Sequence, residues 1–274
     1  MQWFDYPNID PILFAVGPFE IRWYALAYII GIIGAIYYAK KLVRQEAFWH
    51  NKQKRPSSQA IDDFMLWVTL GILFGGRLGY VLFYDFGYFI SHPLDIFAIW
   101  QGGMAFHGGL LGVFIAILLF AYKRDIPTWS LLDLAAASAP IGLFLGRLAN
   151  FINGELFGRI TNHPIGMIFP HGGDMPRHPS QLYQAAMEGI LLFLLLYIAI
   201  RYFKALTRPG MVTGLFCIIY GFARIIAEIF REPDAHIGFL AGNITMGMLL
   251  SLPMIIVGFW IVRVRRKKVD IGFS

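Results

Sequence analysis

Seven apolar runs, at about 22–39, 63–84, 103–121, 132–151, 181–203, 210–230 and 243–262, constrain this chain more than any other feature. Each is about 20 residues long, the length at which an α-helix crosses a hydrocarbon core of roughly 30 Å. In lipid, backbone N–H and C=O groups have no water to bond, so a spanning run must satisfy them internally as helix. The remaining residues are too few for a second large domain. The chain is 57% hydrophobic and only 15% charged, whereas soluble domains carry about 25% charged residues. These features predict an all-α integral membrane protein of seven transmembrane helices, one polytopic domain over 1–274, with a small outer loop region at 152–180.

The basic residues orient the spans. Sixteen of the 23 lysines and arginines fall in every second connection: Lys40, Lys41, Arg44, Lys52, Lys54 and Arg55; Lys123 and Arg124; Arg201, Lys204 and Arg208; and Arg263, Arg265, Arg266, Lys267 and Lys268. Positive loops stay cytoplasmic, so the N-terminus is expected outside and the C-terminus inside. The net charge of +6 then reports topology, and nucleic acid is not an expected partner. The first basic residue is Arg22, so no cleavable signal peptide is expected. Trp3, Phe4, Tyr6, Phe14 and Phe19 among acidic residues read instead as an aromatic interfacial segment. The single cysteine, Cys217, lies in an apolar run, forms no intrachain disulfide and is read as packing.

The other seven basic residues are all arginine: Arg22, Arg77, Arg147, Arg159, Arg177, Arg224 and Arg231. Arginine presents a planar fork that stays charged when buried and matches phosphate or carboxylate, whereas lysine loses its proton more readily. This selection points to an anionic ligand. Counted from the outer ends of the spans, Tyr24, Arg77, His107, Arg147, Glu188 and Arg224 fall in one layer roughly 3–10 Å below the outer interface, at ~1.5 Å per residue. One such arginine is explained by snorkelling. Several at one depth, each costing about 2.5–3.5 kcal/mol at mid-bilayer, are explained better by a shared cavity.

Helical spacing groups these residues further. Tyr220, Arg224 and Glu228 follow each other at four-residue steps along one face, so Glu228 can pair with Arg224 for packing or for chemistry. Arg147 and Asn150 share a face, with Asn153, Gly154 and Glu155 continuing outward, and Arg77 and Tyr80 have the same spacing. Glycines flank each site, in GGRLGY (75–80), GGMAFHGGLLG (102–112) and GRLANFINGELFG (146–158), and let a backbone or a bulky ligand approach closely. ILFGGRLGY (72–80) and GLFLGRLANF (142–151) echo each other too briefly to establish a repeat. His163, His171 and His178 lack compact ligand spacing, so no metal is expected. Gly-x-Ser-x-Gly, His-Glu-x-x-His and P-loop motifs are absent.

GRLANFINGELFG resembles the signature of the bacterial prolipoprotein diacylglyceryl transferase family. HGGLLG (107–112), RHPSQLY (177–183) and YGFARIIAEIFREPD (220–234) resemble its other blocks in the same order, and RWYALAY (22–28) fits as well. Ala149 stands where glycine is common and Gln184 where glutamate is expected, and the loop between spans 4 and 5 is short for the family. The resemblance implies a multi-pass protein of the bacterial cytoplasmic (inner) membrane, N-terminus periplasmic and C-terminus cytoplasmic, with its site toward the periplasmic leaflet. It implies transfer of the diacylglyceryl group of phosphatidylglycerol to the lipobox cysteine of a prolipoprotein signal peptide, with no cofactor. It assigns His107 and Arg224 to catalysis, Arg147 to the phospholipid headgroup, and Tyr24, Asn150, Gly154, Tyr220, Glu228 and Arg231 to the surrounding site. Arg77 and Tyr80 join the candidates through the layer alone.

This chemistry suits these residue types. A thiol of pKa about 8.5 is mostly protonated at neutral pH, and a histidine near 6.5 can take its proton. His107 could instead donate to a backbone carbonyl, with Arg224 alone lowering the thiol pKa. The leaving phosphodiester gains negative charge, and fixed guanidinium groups stabilise that charge most where it develops. A transporter for an anionic solute could use the same arginines, but would need a site near the midplane open to both faces. Here the charged layer is displaced outward.

Overall fold

The structure, a computed structural model, describes residues 4–7, 9–17, 19–49, 55–98, 102–233, 238–240, 242 and 244–270; Trp3, Lys52, Lys54 and Asp234 lie outside the described residues. Among those described, six helices are long and apolar enough to span a membrane: Trp23–Arg44, Ser58–Phe83, Thr128–Ile152, Ser180–Arg201, Met211–Phe230 and Met246–Arg266. The third expected run is a shorter apolar helix, His107–Lys123. Its expected start at 103 is lost because Gly102 and Gly103 take φ of +87° and +74°, a left-handed backbone that no α-helix contains. The all-α reading needs one amendment. Residues expected to lie as an interfacial segment form an antiparallel hairpin, β1 (Ile12–Val16) and β2 (Phe19–Arg22), which leads into α1 (Trp23–Arg44).

The chain divides into two compact units, one of residues 40–132 and one of residues 1–39 with 133–274. In the first, α2 (Ser58–Phe83) packs on α4 (Phe106–Lys123), with the short α3 (Phe86–Ser91) between them in sequence. Ser57 caps α2, its side chain accepting from Ala60 N at 3.0 Å. The two long helices meet through glycines. A Cβ on Gly71 would lie 2.6 Å from the Gly112 carbonyl oxygen, and one on Gly75 would lie 2.8 Å from Gly112 Cα and closer still to Gly108 O. Backbones this close replace side-chain interdigitation with direct helix contact, the small-residue packing used where lipid offers no hydrophobic drive. Toward the other end of the pair, Phe64, Phe120 and Leu131 form a buried cluster with Ala60, Ile117 and Ala121.

The second unit contains most of α1, α5 (Thr128–Ile152), α6 (Ser180–Gln184), a π-helical segment (Ala185–Leu191), α7 (Leu192–Arg201), α8 (Met211–Phe230) and α9 (Met246–Asp270). Glycine again sets helix approach: a Cβ on Gly258 would stand 2.8 Å from Gly214 O across the α8–α9 pair. The N-cap of α8 is Gly210, which has no side chain to satisfy the first helical N–H groups. Asp133 of α5 does so from 77 residues away, its buried carboxylate accepting from Gly210 N (2.6 Å), Thr213 N (2.8 Å) and Thr213 Oγ1 (2.7 Å). This remote cap ties α5 to α8, the two helices that carry the arginines described below. The loop region at 152–180 is ordered by bridges Gly158–Arg231, Ile160–Arg177 and Met167–Arg177 around the buried Phe169.

Gly75→Ala is expected to force α2 and α4 apart and to lower stability by about 1–3 kcal/mol, as overpacking does. Gly142→Ala, where a Cβ would meet nothing within 4 Å, is expected to change it by less than about 0.5 kcal/mol. Thermal unfolding in detergent reads both, and equal sensitivity of the two positions would refute the assignment.

Candidate active site

α8 brings Tyr220, Arg224 and Glu228 to one face, because steps of four residues return to the same side of a helix, and Arg231 follows at its C-cap. The expected pair forms, with Arg224 Nη2 standing 2.6 Å from Glu228 Oε1. Arg231 Nη1 reaches the same oxygen at 3.6 Å. The other carboxylate oxygen of Glu228 accepts from Thr245 Oγ1 at 2.6 Å, just before α9 begins. Gly247 makes room for this arrangement: a Cβ there would stand 2.6 Å from the Glu228 carboxylate carbon. Arg224, Glu228, Arg231, Thr245 and Gly247 line a small recess.

A second carboxylate joins α8 to α5. Glu188, fully buried on the π-helical segment, accepts from Arg147 Nε (3.2 Å) and Nη2 (3.0 Å) through Oε2, and from Arg224 Nη1 (3.4 Å) through Oε1. One acid thus spans two guanidinium groups from different helices. The Tyr220 hydroxyl lies within electrostatic reach of Glu188, Arg224 and Arg147. The arginine side chains of this cluster are 10–16% exposed and the two carboxylates 0% and 5%, so these charges meet each other in a low-dielectric surround. Removing one partner of such a pair costs about 3–5 kcal/mol. With Arg147, Arg224 and Arg231 against Glu188 and Glu228, the five side chains carry one positive charge in excess.

The outer end of α5 continues this surface. Asn150 and Asn153 both donate to Glu155 Oε1, at 2.8 and 3.3 Å. Gly154 turns the chain with φ +63°, a conformation that suits glycine. The Tyr6 hydroxyl donates to Phe151 O and Ile152 O at the end of α5, and burial raises its pKa against the lowering effect of a Gly154 backbone hydrogen bond. Tyr24 lies within reach of Asn150 and Glu155, its hydroxyl 3.3 Å from that of Tyr28. Arg159 donates to Arg231 O (3.0 Å) and Glu228 O (3.2 Å), fastening the outer loop to the carbonyl end of α8. Arg177 donates to Gly158 O within that loop and to the Glu232 carboxylate just beyond α8. His178, beside the Tyr183 hydroxyl at 3.1 Å, has its pKa lowered by burial and by His163.

In the unit of residues 40–132, His107 occupies the first turn of α4 and is exposed, immediately before the Gly108 contact with α2. Arg77 is buried and donates to the carbonyls of Asp95, Ile96, Ala98, Gly102 and Gly103, with its guanidinium over the Phe89 ring. Its donors are committed to the connection between α3 and α4. Tyr80 packs against Gly103 in the same connection and stacks on Tyr84. Thr245 escaped sequence reading, and Gln184 figures there only as standing where glutamate is expected. Gln184 is fully buried and accepts from Arg224 Nη1 at 3.4 Å, and it lies four residues before Glu188, a spacing that marks a shared face.

Residues 11–264 match the family model described as prolipoprotein diacylglyceryl transferase. A Methylocella silvestris protein named phosphatidylglycerol--prolipoprotein diacylglyceryl transferase is 57% identical over 257 residues, covering 94% of each chain. Proteins of the same name from Agrobacterium fabrum (54% identical; 94% of this chain, 92% of that protein) and Brucella anthropi (51%; 93% and 91%) are similar along nearly their whole lengths. Among the described residues no group of three or more histidine, cysteine or acidic side chains could hold a metal ion.

Thr245→Val removes the hydroxyl that donates to Glu228 and leaves a buried carboxylate oxygen without that bond. A stability loss of about 1.5–3 kcal/mol is expected, with most of it restored in Thr245→Ser. Unfolding in detergent measures both, and a neutral valine variant would show that Thr245 does not hold Glu228.

Proposed function

The chain belongs to the prolipoprotein diacylglyceryl transferase family, and from that premise we propose that it transfers the diacylglyceryl group of phosphatidylglycerol to a prolipoprotein. The acceptor in this reading is the thiol of the lipobox cysteine. The protein is a multi-pass protein of the bacterial inner membrane, with seven membrane-crossing segments forming one membrane domain, the N-terminus outside, and the site toward the periplasmic leaflet. The observation that carries the reading is the pair of guanidinium groups, Arg147 and Arg224, held on one buried carboxylate within a cluster of net charge +1. That excess matches the single negative charge of a phosphodiester headgroup.

The thiol sulfur attacks the glyceryl carbon esterified to phosphate. A C–S bond forms, the C–O bond breaks with its electron pair passing to phosphate oxygen, and glycerol phosphate leaves. His107 is assigned the thiol proton. Arg147 and Arg224 stabilise the charge growing on the leaving phosphate, a group that in the ground state holds one negative charge less. Glu228 holds Arg224 by its second guanidinium nitrogen, and Thr245 and Arg231 hold Glu228. Tyr24, Asn150, Gly154 and Tyr220 form the headgroup surround. Arg77 and Tyr80 shape the connection that precedes His107. Solute transport is not favoured: the relatives are named as transferases, and the paired arginines suit bond cleavage at phosphate.

Purified protein in proteoliposomes with phosphatidylglycerol and a cysteine-containing lipobox peptide is expected to add a diacylglyceryl mass to the peptide. His107→Gln and Arg224→Ala are each expected to lower thioether formation by at least about 10²-fold. Full activity in either variant would remove that residue's role, and no adduct with the unaltered protein would overturn the function.

A further inference from the structure

Glu188 is the member of the arginine cluster to which the reaction above gives no task. Its carboxylate is fully buried, and its two oxygens are divided between the two guanidinium groups: Oε2 on Arg147, Oε1 on Arg224. Two oxygens of a phosphate, spread across the same pair, would make the same bonds. The residue stands on the π-helical segment Ala185–Leu191, a local widening of a helix that often accompanies function. That segment is seated tightly, since a Cβ on the neighbouring Gly189 would lie 2.6 Å from Phe144 Cβ on α5. One turn earlier, Gln184 offers Arg224 only an amide oxygen, and its own Nε2 has no partner among the described residues.

We infer that Glu188 is a positioning residue that serves as the built-in counter-anion of the Arg147–Arg224 pair, holding both in register for phosphate and competing with phosphate for them so that product leaves. The inference rests on the transferase reading. The substrate headgroup is a monoanion, but the phosphate monoester released carries about −1.5 to −2 at neutral pH. An arginine pair without a resident anion would therefore hold its product more tightly than its substrate. It would also be left uncompensated in a low-dielectric site once the product departed, and an unpaired buried charge is costly. With Glu188 in place, the pair exchanges one anion for another at each end of the cycle. Gln184, neutral and equally buried, leaves the cluster its one excess positive charge.

Two isosteric substitutions move that charge in opposite directions. Glu188→Gln raises the excess to two, and Gln184→Glu brings it to zero. In the proteoliposome assay, racemic glycerol phosphate is expected to inhibit Glu188→Gln about tenfold more strongly than the unaltered enzyme, with kcat reduced and KM for phosphatidylglycerol not raised. Gln184→Glu is expected to be inhibited about tenfold more weakly. Calorimetric titration of glycerol phosphate into each detergent-solubilised protein, independent of turnover, is expected to give the same order of affinities. An unchanged or weakened inhibition in folded Glu188→Gln, or an unchanged or strengthened one in Gln184→Glu, would overturn the inference, and the second variant decides alone if the first does not fold. Loss of packing lowers activity without shifting the two inhibition constants in opposite senses. Absence of adduct formation by the unaltered protein would instead strike the transferase reading, with calorimetry still ruling on Glu188.

Discussion

A guanidinium group in a hydrocarbon surround must be met by an anion or by several carbonyl oxygens, and most of this structure's polar architecture answers that demand. Arg147 and Arg224 are met by Glu188, Arg224 and Arg231 by Glu228, and Arg77 by five backbone carbonyls. Each solution fixes more than the arginine. Glu188 locks the π-helical segment to α5 and α8, while Glu228 reaches Thr245 and locks α8 to the start of α9. The carbonyl cage around Arg77 sets the path of the connection entering α4. Because such charges are costly to leave unpaired, helix positions are determined by charge pairing as much as by apolar contact, which in lipid discriminates poorly between alternatives.

Close backbone approach makes the pairing possible. Gly247 lets the Glu228 carboxylate lie against α9, and Gly189 lets the segment carrying Glu188 sit on Phe144. Gly71, Gly75, Gly108 and Gly112 perform the corresponding task for the helix that carries His107. The glycine-rich motifs, open in sequence to helix packing or to ligand approach, are occupied by packing at Gly75, Gly108 and Gly112. Their contribution to chemistry is indirect, through the precision with which a neighbouring side chain is held.

Six of the seven expected spans were legible in the sequence as long apolar helices, since length and apolarity determine them and lipid leaves the backbone no other choice. The Arg224–Glu228 pair was equally legible, being local to one helical face. Arg147 and Glu188 are 41 residues apart, and no periodicity encodes which two helices will be neighbours. The cap that Asp133 places on α8 from 77 residues away was unreadable for the same reason. The hairpin at Ile12–Arg22 was hidden because its exposed Leu13, Phe14, Val16 and Ile21 give the apolar signal of an interfacial segment without a clean alternation. The late start of α4 follows from Gly102 and Gly103, whose positive φ only glycine adopts readily and whose carbonyls accept from Arg77.

Arg77 and Arg147 make the limit of motif reading concrete. Both sit in a Gly-Arg-Leu step near the outer end of a predicted span, with a polar side chain three residues on, and spacing and depth give them one interpretation. Their surroundings separate them. Carbonyl dipoles of one connection saturate the donors of Arg77 but add no net charge. Arg147 is held by a carboxylate that is itself shared with Arg224, and a shared anion can be outcompeted by a second anion of similar shape. What suits Arg147 rather than Arg77 to the proposed phosphate contact is therefore the replaceability of its partner, a property of the fold that no local pattern records.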